Sequence, residues 1–225
     1  MNRLIPLVLV ALLAASVAQA GMIQDIRSGL VPEGTIVDIE GAVVTSVMNT
    51  SVTVSELPGG PGMSLWVILG DAPTVYPGDI VDLRGTYLEH SGRSTLSLLH
   101  PGDAAMTVTG STMPVPFYVT VNELIADPEG WESVVVMVTD GLVVQEIYAD
   151  GSWLVNSYET GTPLILDDYF GLHPTVGVGE CYNNALGLFF MFEGQHVLKA
   201  LEVDFTDCTV GNENLGMSEL KSIYR

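Results

Sequence analysis

Carboxylates gather in the second half of the chain, where they could hold a metal ion. Asp167 and Asp168 are adjacent, and Glu180 follows within the same stretch. Calcium takes six to eight oxygen ligands, so acidic side chains of this kind are candidate ligands. The spacing of an EF-hand is absent. Calcium at Asp167, Asp168 and Glu180 therefore stays a candidate beside the alternative of a solvated acidic surface, and no other cofactor is expected.

A second set of residues combines aromatic rings with cations. Trp66, Arg84, Tyr87 and Arg93 lie within one stretch of the first half of the chain. Proteins that bind single-stranded nucleic acid use aromatic stacking platforms inside a basic groove. Strand aromatics are, however, more often core residues than platforms. The aromatics that could serve either role are Trp66, Tyr87, Trp153, Tyr158, Phe189 and Phe190.

The charge balance argues against nucleic acid. The chain has 7 Lys and Arg against 27 Asp and Glu, a formal net charge of −20. Nucleic-acid affinity comes largely from Lys and Arg displacing counterions from phosphates. Nucleic acid is therefore not expected as a partner. The ranking would reverse only if Arg27, Arg84 and Arg93 met on one face beside Trp66 and Tyr87.

No catalytic motif is present. The sequence contains neither G-x-S-x-G nor H-E-x-x-H, the spacings that build a nucleophile elbow or a zinc-protease site. The four histidines, His90, His100, His173 and His196, are dispersed. We therefore expect a protein that is not an enzyme.

The two cysteines, Cys181 and Cys208, lie close together in sequence. Their spacing fits neither a C-x-x-C redox motif nor a zinc site. In an oxidising compartment such a pair predicts a disulfide. Two buried thiols are the alternative.

Residues 1–20 predict export. Arg3 is followed by an apolar segment from Leu4 to Ala15, and Ala18-Gln19-Ala20 forms a small-residue cleavage pattern. This order is typical of a secretory signal peptide, and the apolar segment is short for a membrane span, which needs about 20 residues. We expect a secreted or periplasmic protein without a membrane span.

The remaining chain contains an internal repeat. Pro73–Asp79 and Pro174–Glu180 share the pattern P-T-V-x-x-G-acidic at an offset of 101 residues. Upstream, Gly41 corresponds to Gly141. Downstream, Gly85, Tyr87, Gly92 and Leu96 correspond to Gly187, Phe189, Gly194 and Leu198. Ordered matches at nearly one offset, between 100 and 102 residues, indicate two copies of one structural unit.

Each copy has the order of a small β-barrel. In the first copy a short helical turn precedes a long alternating strand with Gly41 inside it, as a bent barrel strand requires. The segments Ile23–Ile26, Val37–Gly41 and Val75–Gly85 resemble the OB-fold domains of exported bacterial proteins, which also accompany secreted nucleases. The resemblance implies a five-stranded Greek-key barrel that binds ligands through its edge loops.

We therefore predict an all-β chain with two tandem OB-like Greek-key barrels, each with a short helical turn. The predicted division is a signal peptide at 1–20, barrels at 22–110 and 117–208, a linker at 111–116 and a short C-terminal tail at 209–225. The predicted function is an exported, non-catalytic binding or interaction module for an unknown protein or glycan. The alternative is an accessory protein that binds single-stranded nucleic acid. The oligomeric state is open.

Overall fold

The computed structural model describes residues 21–57, 59–71, 74–100, 102–168, 176–192 and 194–206. The predicted signal peptide, Cys208 and the predicted C-terminal tail lie outside these residues. Within them, no helix is both long and apolar enough to cross a membrane.

The first half of the chain forms a closed barrel of five strands. Its elements are α1 (Met22–Arg27), β1 (Ile36–Met48), β2 (Ser51–Ser55), β3 (Ser64–Ile68), β4 (Asp79–His90), β5 (Arg93–Ser97) and β6 (Ala105–Ser111). The strand order is β1-β2-β3-β5-β4, and β1 closes the barrel by pairing with β4. Strand β6 is a sixth strand, which pairs with β4 outside the closed ring.

The second half repeats this plan. Its elements are β7 (Phe117–Val119), α2 (Val121–Ala126), α3 (Pro128–Trp131), β8 (Val135–Val138), β9 (Leu142–Ile147), β10 (Trp153–Ser157), β11 (Pro163–Asp167), β12 (Cys181–Phe192) and β13 (Gln195–Thr206). The strands β9, β10, β11, β13 and β12 form a closed ring. Two tandem OB-like barrels with short helices confirm the predicted fold class.

The repeat glycines occupy equivalent bends. Gly41 has φ of 67° and Gly141 has φ of 51°, a region that favours glycine. In the first barrel the strand continues through the bend as β1. In the second it divides into β8 and β9, and Asp140, between them, accepts the N–H of Val121 at 3.1 Å. The single strand expected there is thus two.

Each barrel has its own apolar core. The first contains Ile23, Ile39, Leu65 and Leu96, all at most 1% exposed. The second contains Trp153, Phe189 and Leu198 at the same level of burial. In both barrels the core side chains alternate along the strands with residues that point outward, and these outward residues form the surfaces of interest.

Candidate functional site

The outward side of strands β1, β2, β3 and β5 is the surface that OB-folds commonly use for ligands. In this chain that surface is rich in hydroxyl groups and is itself buried. Its rows follow from the strand registers, in which Ser46 faces Thr53, Thr53 faces Trp66, and Trp66 faces Thr95. Ser46, Thr53 and Thr95 are at most 2% exposed. We call this surface the covered face.

The second barrel covers it. A third apolar cluster joins Met48 and Trp66 of the covered face to residues of β8 and β12. The contributing residues of the second barrel are Val135, Met137, Leu186, Leu188 and Phe190. The surface that an OB-fold would use for a ligand is therefore buried, in the first barrel, by contact with the second barrel.

Arginines of the first barrel reinforce this contact. Glu132, which is 5% exposed, accepts Arg27 at 3.1 Å and lies 3.4 Å from the Nε of Arg93. Arg93 also donates to the carbonyl of Met191 at 2.9 Å. Its guanidinium lies 4.6 Å from the ring centroid of Phe190, within cation–π range. Burial lowers the pKa of Arg93, opposed by the nearby Glu132.

The four predicted ligand residues are divided between three environments. Trp66 and Arg93 lie together, 5.5 Å apart from ring centroid to guanidinium, but at the contact between barrels. Tyr87 is a core residue whose hydroxyl donates to Glu89, and burial first of all raises its pKa. Arg84 is exposed and pairs with Asp38 at 2.6 Å. The convergence of arginines on one open face is not present in the described residues.

The predicted metal ligands are dispersed as well. Asp167 ends β11, and burial raises its pKa while nearby Lys199 opposes the shift. Asp168 follows it in sequence. Glu180 accepts the N–H of Gly177 at 2.8 Å, which closes a turn before β12. Across the described residues, no three His, Cys, Asp or Glu side chains group as a metal site.

Cys181 is buried at the start of β12. Because Cys208 lies outside the described residues, the pairing of the two cysteines stays a prediction.

In the second barrel the corresponding surface is partly exposed to solvent. On β10 the residues Leu154 and Asn156 point outward, and Tyr158 continues the same side because its N–H still bonds Gly141 at 2.8 Å. Tyr158 is 52% exposed. Val143 and Pro163 flank Asn156, and Ile165 faces Leu154. We call Val143, Leu154, Asn156, Tyr158, Pro163 and Ile165 the open face.

One carboxylate lies beside the open face, because the exposed Glu146 pairs with Leu154 from the strand opposite Ile165. At the other margin Asp167 faces Lys199 across β11 and β13. Burial lowers the pKa of Lys199, opposed by Asp167. The result is a partly apolar strip with an exposed phenol ring at one end and the carboxylate of Glu146 beside Leu154. Sequence patterns did not single out this strip, since Tyr158 falls after the last residue of a short strand.

The fold defines a protein of two tandem OB-like barrels. The chain is similar to a murine DNA binding protein bound with ds DNA, at 12% identity and a TM-score of 0.38, over 74% of this chain and 93% of that chain. It is also similar to the p204 HINb domain (10% identity, TM-score 0.35, over 77% and 98%). A third similar structure is the Ifi202 HINa domain in complex with 20bp dsDNA (10%, 0.34, over 75% and 92%). No family model and no curated protein matches the chain.

These neighbours correct two expectations. Two of them are complexes with double-stranded DNA. The interpretation as a module for an unknown protein or glycan is contradicted, and the expectation that nucleic acid is not a partner is wrong.

Proposed function

We propose that this protein binds single-stranded nucleic acid on the open face of its second barrel and carries out no catalysis. The observation that supports the proposal is the difference between the two barrels. The surface that OB-folds use for oligonucleotides is buried in the first barrel and partly exposed in the second, where Leu154 and Asn156 are half-buried and Tyr158 is 52% exposed. An exposed ring on that surface is a stacking platform for a base.

Charge favours a single strand over a duplex. A duplex presents its phosphates and the base edges in its grooves, whereas a single strand also presents base faces for stacking and free Watson–Crick edges. Lys199 is the one Lys or Arg in residues 117–206, so phosphate contacts contribute little there. Asn156 offers an amide donor and acceptor to base edges, and Leu154 and Ile165 offer apolar contact.

This chemistry implies weak dependence on salt. For single strands, the logarithm of the binding constant falls with the logarithm of salt by about 0.7 per phosphate neutralised. A face with one marginal cation should therefore give a slope of about 1 or less in magnitude. The repulsion between an acidic protein and the strand is screened beyond about 8 Å at physiological ionic strength.

The first test replaces Tyr158 by alanine. We expect the affinity for a fluorescent oligothymidine to fall about 5-fold to 100-fold, because a base–aromatic stack contributes about 1–3 kcal/mol. Fluorescence anisotropy at several salt concentrations measures both the affinity and the salt slope.

Tyr76→Ala is the matched control. Tyr76 is 73% exposed but lies on the first barrel, so its removal should leave the affinity unchanged. Equal loss in both variants, or binding of a duplex that is tighter than binding of the single strand, would count against the open face. Absence of binding by the wild-type protein at low salt would remove the proposal.

We further propose that the protein is exported, and that its barrels are related to the OB domains that accompany secreted nucleases. A secreted or periplasmic location follows from the signal peptide predicted at residues 1–20. The mass of the exported protein tests it, since cleavage after Ala20 leaves Gly21 as the first residue.

A further inference from the structure

Strand β6 forms an edge of the first sheet. It pairs with β4 on one side, from Ala105 facing Arg84 to Ser111 facing Asp79. Among the described residues no strand pairs with its other side. Six of its seven residues are exposed, including Val108 at 49%. An edge of this kind presents unpaired backbone N–H and C=O groups to solvent.

The edge has no charged residue and no proline within it, and its protection against further pairing is limited to a bulge at Thr109, between Val108 and Gly110. Natural sheets protect an edge with charged side chains, prolines or an irregular strand. Residues 104–122 contain no Asp, Glu, Lys or Arg, although the chain as a whole has a formal net charge of −20. Exposed apolar side chains continue beyond the strand at Met113 (58%) and Val115 (68%). This segment is therefore an exposed surface without charge on a strongly acidic protein.

We propose that two copies of this chain associate through β6, which pairs antiparallel with β6 of the second copy. An extended strand pairs with the whole row of open backbone groups of an edge, and an antiparallel pair of identical strands is self-complementary about a two-fold axis. Residues 104–122 have no carboxylate that would attract a basic peptide. The same uncharged segment of a second copy can pair with them without local repulsion between charges. The bodies of the two copies repel each other, but salt screens that repulsion beyond about 8 Å.

The pairing places like residues close to each other across the two-fold axis. Val108 is the central residue of β6, so Val108→Glu would bring two carboxylates into proximity in the dimer. Like charges opposite each other in a sheet are destabilising. Thr107→Glu, at an exposed position next to it, serves as a second variant in case the first folds poorly.

Sedimentation velocity measures the association, at concentrations between about 1 µM and about 1 mM, a range that spans moderate to weak affinities. We expect the wild-type protein to be dimeric at the upper end and both variants to be monomeric throughout. Val178→Glu is the control, since Val178 is 67% exposed and lies in the turn before β12. It should dimerise like the wild type.

A wild-type protein that stays monomeric at every concentration would overturn the inference. A dimer that persists unchanged in both Val108→Glu and Thr107→Glu would overturn it too, because it would use another surface. Val108 and Thr107 lie on the first barrel and the open face lies on the second. Association through β6 and nucleic-acid binding can therefore be tested independently of each other.

Discussion

Replacing Arg93 by alanine is expected to lower the free energy of unfolding by about 3 kcal/mol or more, the range seen when one partner of a buried ion pair is removed. The side chain of Arg93 is 11% exposed and that of Glu132 is 7% exposed. The substitution would leave the carboxylate with Arg27 alone and the carbonyl of Met191 without the donor that Arg93 provides. It also removes the cation above the ring of Phe190.

Arg84→Ala is the matched control on the same barrel. Arg84 pairs with Asp38 at a surface where the two side chains are 47% and 61% exposed. Exposed pairs of this kind contribute about 1 kcal/mol or less. Urea unfolding monitored by circular dichroism gives both values. Similar losses for Arg84→Ala and Arg93→Ala would contradict the assignment of Arg93 to the contact between barrels.

The loss caused by Arg93→Ala should also depend on pH. Burial raises the pKa of Glu132 above the ordinary value of a glutamate, while Arg27 and Arg93 oppose the shift. A glutamate with a raised pKa contributes stability when protonated, and that contribution is lost as pH rises through the folded-state pKa. Without Arg93 the pKa of Glu132 rises further. The difference in stability between wild type and variant should therefore be smaller in acid than at neutral pH.

The sequence was sufficient to predict the architecture because the repeat places glycines where the backbone of each barrel must bend. Gly41 and Gly141 both lie at positive φ in equivalent bends, and glycine is the residue that adopts such a conformation without strain. The alternation of apolar residues predicted which strand faces pack inward. What alternation leaves undetermined is the environment of the residues that point outward.

The covered face shows why the site was harder to predict. Ser46 and Thr53 are polar and point away from the core of their barrel, so a single barrel would expose them. They are buried because the two barrels pack together, and that contact depends on Phe190 and Glu132, more than 75 residues away in sequence. Because of the same packing, Trp66 and Arg93, which the sequence predicted to bind a ligand, lie at the contact between the barrels. Tyr158 becomes prominent only once its neighbour strands are known.

A close steric constraint shared by the two barrels lies at a second pair of repeat glycines. A Cβ on Gly187 would lie 2.6 Å from the Cγ of Leu198 and 2.7 Å from the carbonyl oxygen of Lys199. On Gly85 it would lie 2.8 Å from the carbonyl oxygen of Ser97 and 3.0 Å from the Cγ of Leu96. In each barrel the glycine on the fourth strand of the ring admits the close approach of the strand that follows it.

Gly187→Ala should therefore destabilise the second barrel by about 3 kcal/mol, the upper part of the range for overpacked cores. A leucine side chain can rotate, but the carbonyl of Lys199 belongs to the ladder between β12 and β13 and moves only with its strand. Gly85→Ala should destabilise the first barrel for the same reason, by a similar or smaller amount because its contacts are slightly longer. Gly70→Ala is the control, since a Cβ there would meet nothing closer than Leu99 at 3.9 Å. Thermal unfolding of the three variants ranks them, and a wild-type midpoint for Gly187→Ala would show that β13 can move away from β12 at little cost.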